Sequence, residues 1–94
     1  MEVAVLTNHA VDRAKERLGL KKRSLQRLAD KALSEGLAYR DCKGAIRKYM
    51  GYLSKTYRAN NIRLYGENLF AFKDTTLITV YRLENRYAKR MRHQ

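Results

Sequence analysis

His9, Arg13 and Arg17 recur every four residues within Leu6-Thr7-Asn8-His9-Ala10-Val11-Asp12-Arg13-Ala14-Lys15-Glu16-Arg17-Leu18-Gly19, a spacing that sets one imidazole and two guanidinium groups along one side of a helix. These types suit one chemistry in particular. Cleavage of an RNA phosphodiester by its own 2′-hydroxyl needs a base, an acid for the leaving oxygen and positive groups for the charge on the phosphorane. Histidine titrates near neutrality and arginine holds phosphate bidentately, so such an edge could combine proton transfer with charge stabilisation and use no metal. The same spacing also describes a solvated basic face carrying an incidental histidine.

The bulk composition favours a polyanion as the partner of that edge. The chain has 94 residues with 21 Lys plus Arg against 9 Asp plus Glu, a formal net charge of +12. Such a surface repels itself until something anionic neutralises it, and nucleic acid gains affinity by releasing counterions at each phosphate contacted. A membrane surface competes less well, because every apolar helical face in the sequence is also needed for the core. No proline and no long apolar run interrupt the chain, which predicts one domain over residues 1–83 followed by a basic tail over 84–94. Cys42 is the lone cysteine, and with only His9 and His93 beside it neither an internal disulfide nor a zinc cluster is expected, and no cofactor is implied. Met1 to Leu6 is too short for a signal peptide or a membrane span and carries Glu2. A reducing, cytoplasmic setting follows as the expectation.

The elements that must position the basic edge are legible as periodicities. Met1 to Leu6 reads as a short strand, and Thr7 or Asn8 caps a helix that runs to about Leu18 and stops at Gly19. After a basic connector from Leu20 to Arg23, Ser24 is placed to cap a second helix whose stripe is Leu25, Leu28, Ala29, Ala32 and Leu33, ending at Gly36. A third helical pattern spans about Ala38 to Tyr57, with Cys42, Ala45, Ile46, Tyr49, Leu53 and Tyr57 inward. The period then changes to that of strands at Ile62 to Tyr65, Leu69 to Lys73 and Leu77 to Leu83, separated by Gly66-Glu67-Asn68 and Asp74-Thr75-Thr76. Alternation puts Ile78 and Val80 on one side of the last strand and Leu77, Thr79 and Tyr81 on the other. The expected fold class is α+β, with N-terminal helices packed on one face of a C-terminal antiparallel sheet of three to four strands. The other face is expected to stay open, with Tyr81 available to stack on bases.

With these residues in view, the sequence resembles the RelE-like and barnase/colicin-type ribonuclease superfamily, in the toxin-like members that open with T-x-HA-x2-R-x3-R-x-G and close with a TVY-type strand. Thr7, His9, Ala10, Arg13, Arg17 and Gly19 carry the opening match, and Ile78-Thr79-Val80-Tyr81 the closing one. The basic helical middle and the tail have no counterpart in that pattern. The resemblance implies a metal-independent endoribonuclease with His9 as general acid or base, Arg13 and Arg17 on the scissile phosphate, and Thr79 and Tyr81 across the cleft. RNA, free or on the ribosome, is the expected partner, together with an acidic antitoxin or inhibitor protein.

Other residues point to binding. Lys21, Lys22, Arg23 and Arg82 add to long-range attraction, whereas Arg86, Lys89, Arg90 and Arg92 on the tail are better suited to direct RNA contact, since an arginine-rich arm can order upon binding. Cys42 on an inward face reads as a small buried hydrophobe, and Tyr49, Tyr52 and Tyr57 as core and edge packing, with Tyr52 able to meet a base. Three function classes therefore stand side by side: a ribonuclease, a non-catalytic RNA- or ribosome-binding protein, and a module that docks an acidic protein. A helix-turn-helix DNA reader fits less well, because the second and third helical patterns lack the short turn it needs.

Overall fold

A computed structural model describes residues 2–83, so the expected contacts of Arg86, Lys89, Arg90 and Arg92 lie outside the described residues. The chain builds β1 (Val5–Leu6), α1 (Asn8–Leu18), α2 (Lys22–Glu35), β2 (Leu37–Ala38), a 3-10 turn at Tyr39–Asp41, α3 (Gly44–Tyr57), β3 (Asn61–Tyr65), β4 (Asn68–Lys73) and β5 (Thr76–Arg82). The fold is α+β, with the helices ahead of the main strands.

The sheet is larger and more mixed than the periodicity suggests. Its five strands lie in the order β1-β5-β4-β3-β2, with β1 parallel to β5 and the remaining pairs antiparallel. Val5–Leu6 lies at the end of the strand expected over Met1 to Leu6, whereas Leu37–Ala38 is too short to show an alternation of its own and exists because β3 offers it an edge. Leu37 and Ala38, expected inside the third helix, pair instead with Leu64 and Arg63. That helix begins at Gly44, and the Asp41 carboxylate accepts a hydrogen bond from the Ala38 N–H to close the 3-10 turn before it. Gly36 makes the sharp exit from α2 feasible, since a Cβ there would stand 2.5 Å from the Ala32 carbonyl oxygen.

Helices cover both faces of the sheet, which corrects the expectation of an open one. On one side α1 and α2 bury Ala10, Ala14, Leu25, Ala29, Ala32 and Leu33 against Phe70, Phe72, Leu77 and Val80. On the other, α3 buries Ile46, Met50 and Leu53 against Ile62, Leu64, Leu69 and Ala71. The buried residues of α1 are both alanine, Ala10 and Ala14, which lets that helix approach β5 closely. Their absence of bulk leaves the longer Leu25 and the two phenylalanines to fill the layer.

The strands are joined by two-residue turns, tighter than the three-residue separators read from sequence. Tyr65 pairs with Asn68 across Gly66-Glu67, where Gly66 takes φ 62, and Lys73 pairs with Thr76 across Asp74-Thr75, where Asp74 takes φ 57. Asn60 holds the second turn through bonds to and from Asp74. The Ile78 register breaks the simple alternation. Ala71 faces Thr79 and Phe72 faces Leu77, so Ile78 is an extra residue in β5, a β-bulge. Leu77 therefore shares the α1/α2 face with Val80, while Thr79 and Tyr81 turn to the α3 face.

Thr7 secures the entry to α1 twice, accepting the Ala10 N–H as an N-cap and donating its hydroxyl to the Leu77 carbonyl. Replacing it by alanine should lower unfolding free energy by about 1–2 kcal/mol in urea denaturation, and serine should restore most of the loss. Equal stability of Thr7→Ala and the parent would show that neither bond contributes.

Candidate nucleic-acid interface

Helix α1 runs alongside β5, with Thr7 at the Leu77 end and Arg17 at the Val80 end. Beyond Leu77 no strand pairs with the outer edge of β5 among the described residues, and Arg17 covers it. One guanidinium nitrogen of Arg17 donates to the Val80 carbonyl at 3.2 Å and to the Thr79 hydroxyl at 3.3 Å. Its central carbon lies 4.0 Å from the centre of the Tyr81 ring. Arg17 is thus brought into one cluster with Thr79 and Tyr81, which lie more than sixty positions further along the sequence.

Tyr81 is also the meeting point of an aromatic row that sequence spacing left as packing. Its hydroxyl is hydrogen-bonded to that of Tyr57, and its ring meets Tyr49 edge-on at 6.3 Å. Tyr49 in turn lies parallel to Tyr52, with centroids 6.2 Å apart and planes within 11°. The only signal for these partners was their helical spacing. Nothing in the linear sequence says that the outer flank of α3 meets the end of β5.

Burial pushes the Tyr81 hydroxyl above the ordinary tyrosine range, and the bond with Tyr57 adds in the same direction, while Arg17 pulls the other way. A phenol that holds its proton this firmly can donate a hydrogen bond at neutral pH and is unsuited to act as a base. Thr79 is fully buried, so its hydroxyl orients Arg17 and does not face solvent.

The other two members of the edge are placed differently. Arg13 is ion-paired with Glu16 at 2.9 Å on the helix surface, a pairing typically worth under about 1 kcal/mol and readily exchanged for a phosphate. Its Nε is enclosed with no hydrogen-bond partner among the described residues. His9 is exposed and has no hydrogen bond among the described residues. Eight residues of helix separate it from Arg17, about 12 Å along the axis.

Lys21, Lys22, Arg23 and Arg82 are all exposed. The first three are not a connector: Lys21 is the N-cap position of α2, and Lys22 and Arg23 form its first turn, with Ser24 already helical. Basic side chains at the positive end of a helix oppose its dipole, a cost of a few tenths of a kcal/mol or more that an anion would relieve. Arg82 shares a shallow cleft of about 270 Å³ with Leu18, Leu20, Leu28, Glu67 and Asn68, next to the start of that turn. Cys42 is buried, and burial and then Asp41 push its thiol upward, so it stays protonated and inert at neutral pH.

Among the described residues no group of three His, Cys, Asp or Glu side chains is arranged to hold a metal ion, and no helix is long and apolar enough to cross a membrane. The chain matches no family model, no curated protein and no solved structure.

An acid whose folded-state pKa is raised keeps its proton in the native chain after the unfolded chain has lost it. The Tyr81 contribution to stability is therefore complete below the unfolded value of about 10 and is lost as pH rises from there through the folded value. In an absorbance titration Tyr81→Phe should remove a phenol that titrates above the ordinary range, and Tyr57→Phe should move that component down toward the ordinary range. A Tyr57→Phe curve superimposable on the parent's above pH 10 would mean that the bond does not hold the proton.

Proposed function

We propose that this protein is a cytoplasmic RNA-binding protein whose contact surface is the basic edge of α1 with the tyrosines beside it, assisted by the first turn of α2 and the basic tail. The observation that carries this reading is the exposed placement of the charge. Lys15, Lys21, Lys22, Arg23, Lys48, Lys55 and Arg82 are all solvent-facing and make no ion pair among the described residues, so these cations are available to phosphates. His9, Arg13 and Arg17 give the surface a direction along α1, and Arg17 is held rigid by β5.

A second reading, metal-independent endoribonuclease, is favoured by one specific observation. The residues of the opening and closing motifs, Arg17 with Thr79 and Tyr81, come together in space. In that reading His9 takes the proton of the 2′-hydroxyl, the 2′-oxygen attacks phosphorus as the P–O5′ bond breaks, the 5′-oxygen takes a proton from water, and a 2′,3′-cyclic phosphate remains. Arg13 and Arg17 stabilise the phosphorane charge. Binding is the stronger reading because, among the described residues, the exposed His9 imidazole is hydrogen-bonded to no group that could return that proton.

Fluorescence anisotropy with a labelled RNA of mixed sequence should show affinity falling linearly with salt on logarithmic axes, by about 0.7–0.9 per phosphate contacted. Replacing Arg90 and Arg92 by alanine should reduce that slope by roughly one to two. Affinity insensitive to salt would overturn the binding reading. Total RNA incubated with the protein in EDTA and run on a denaturing gel tests the second one. Cleavage by the parent and none by His9→Ala supports catalysis, and equal cutting by both removes His9 from the role.

A further inference from the structure

Resting on the RNA-binding reading, we infer that Tyr52 is a stacking platform for the bases of single-stranded RNA, at the head of a row of rings that ends at the Arg17 cation. Tyr52 is 61% exposed, an unusual placement for a large ring in a protein of this size. Its position is not that of a loose surface side chain. Tyr49 lies parallel to it, Tyr81 meets Tyr49 edge-on, and Arg17 lies over Tyr81, so a continuous aromatic path leads from the outer flank of α3 to the α1 edge.

Charge surrounds the path in the way a single strand requires. On α3, Lys48 precedes Tyr52 by four residues and Lys55 follows it by three, so both lie next to the ring on the helix surface, and both are exposed. At the far end Arg17 is fixed by Val80 and Thr79, and Arg13 stands one turn before it with a replaceable partner. Bases on rings and phosphates on flanking cations is the arrangement by which proteins hold single strands with little sequence preference. A duplex would not use it, because its base faces are already stacked on one another and only phosphates and groove edges are presented.

The rest of the row explains why Tyr52 can be rigid while exposed. Tyr49 and Tyr57 are half-buried and pack against the core under α3, and the Tyr57–Tyr81 hydrogen bond fixes the ring that Tyr49 meets. A platform of this kind loses little freedom when a base arrives, and the occupant it fits is a short unpaired RNA segment.

The test compares a labelled single-stranded oligoribonucleotide with a hairpin duplex of the same composition, at one salt concentration, for the full chain and its Tyr52→Ala and Tyr52→Phe variants. Tyr52→Ala should bind the single strand roughly 5- to 100-fold more weakly, with an unchanged salt slope because the phosphate contacts remain. Tyr52→Phe should bind like the parent, and the duplex affinity of all three should agree. Thermal melts of the variants report folding, which an exposed side chain should leave intact. Equal single-strand affinity of parent and Tyr52→Ala overturns the platform while leaving RNA binding in place, as does an equal loss on single strand and duplex. No binding of either RNA by the parent overturns the binding reading itself. Sedimentation of the parent as a dimer and of Tyr52→Ala as a monomer, with RNA affinity unchanged, would make the ring an interface between copies and end the proposal.

Discussion

The outer edge of β5 is the constraint on which the rest of this structure depends. A strand edge with unpaired backbone groups invites aggregation, and β1 covers only Thr76 and Leu77 before the chain turns away. The remainder is closed by α1, laid along the strand on its small alanines, and by the Arg17 guanidinium on the Val80 carbonyl. A single side chain thereby completes the sheet, joins the first helix to the last described strand and fixes one positive charge at a defined place.

The bulge at Ile78 gives that contact its chemical content. Without the extra residue, Leu77, Thr79 and Tyr81 would share a face, and an apolar leucine on the α1/α2 side would require Thr79 and Tyr81 to be there too. With it, Leu77 and Val80 remain in the first core layer, while Thr79 and Tyr81 cross to the side of α3 and its tyrosines. Arg17 then reaches over the edge to both. The buried Thr79 hydroxyl is satisfied by that reach, which removes the penalty of an unpartnered polar group in the core.

Electrostatics and packing are divided between separate parts of the molecule. Both core layers are made almost wholly of aliphatic and aromatic side chains, with Thr79 as the one buried polar residue among those described. The cations lie outside, where water and salt moderate their mutual repulsion. Self-repulsion of this size acts against the compact state, and any anion that spans several of these groups would stabilise the fold as well as bind to it.

The sequence by itself determined what depends on neighbours a few residues apart. A cap at Thr7 or Asn8, which the structure places at Thr7, the stop at Gly19, the stripe of α2, the two hairpins and the His9-Arg13-Arg17 edge all follow from local geometry, and all appear in the structure. Tertiary structure decided whatever depends on a distant surface. The two-residue strand at Leu37–Ala38, the closure of the second sheet face by α3, and the change of face at Ile78 have no periodicity of their own to read. The same holds for the site. One turn of helix is enough to align Arg13 with Arg17, but only the packing of α1 and α3 against β5 could bring Arg17, Tyr81, Tyr57, Tyr49 and Tyr52 into one row.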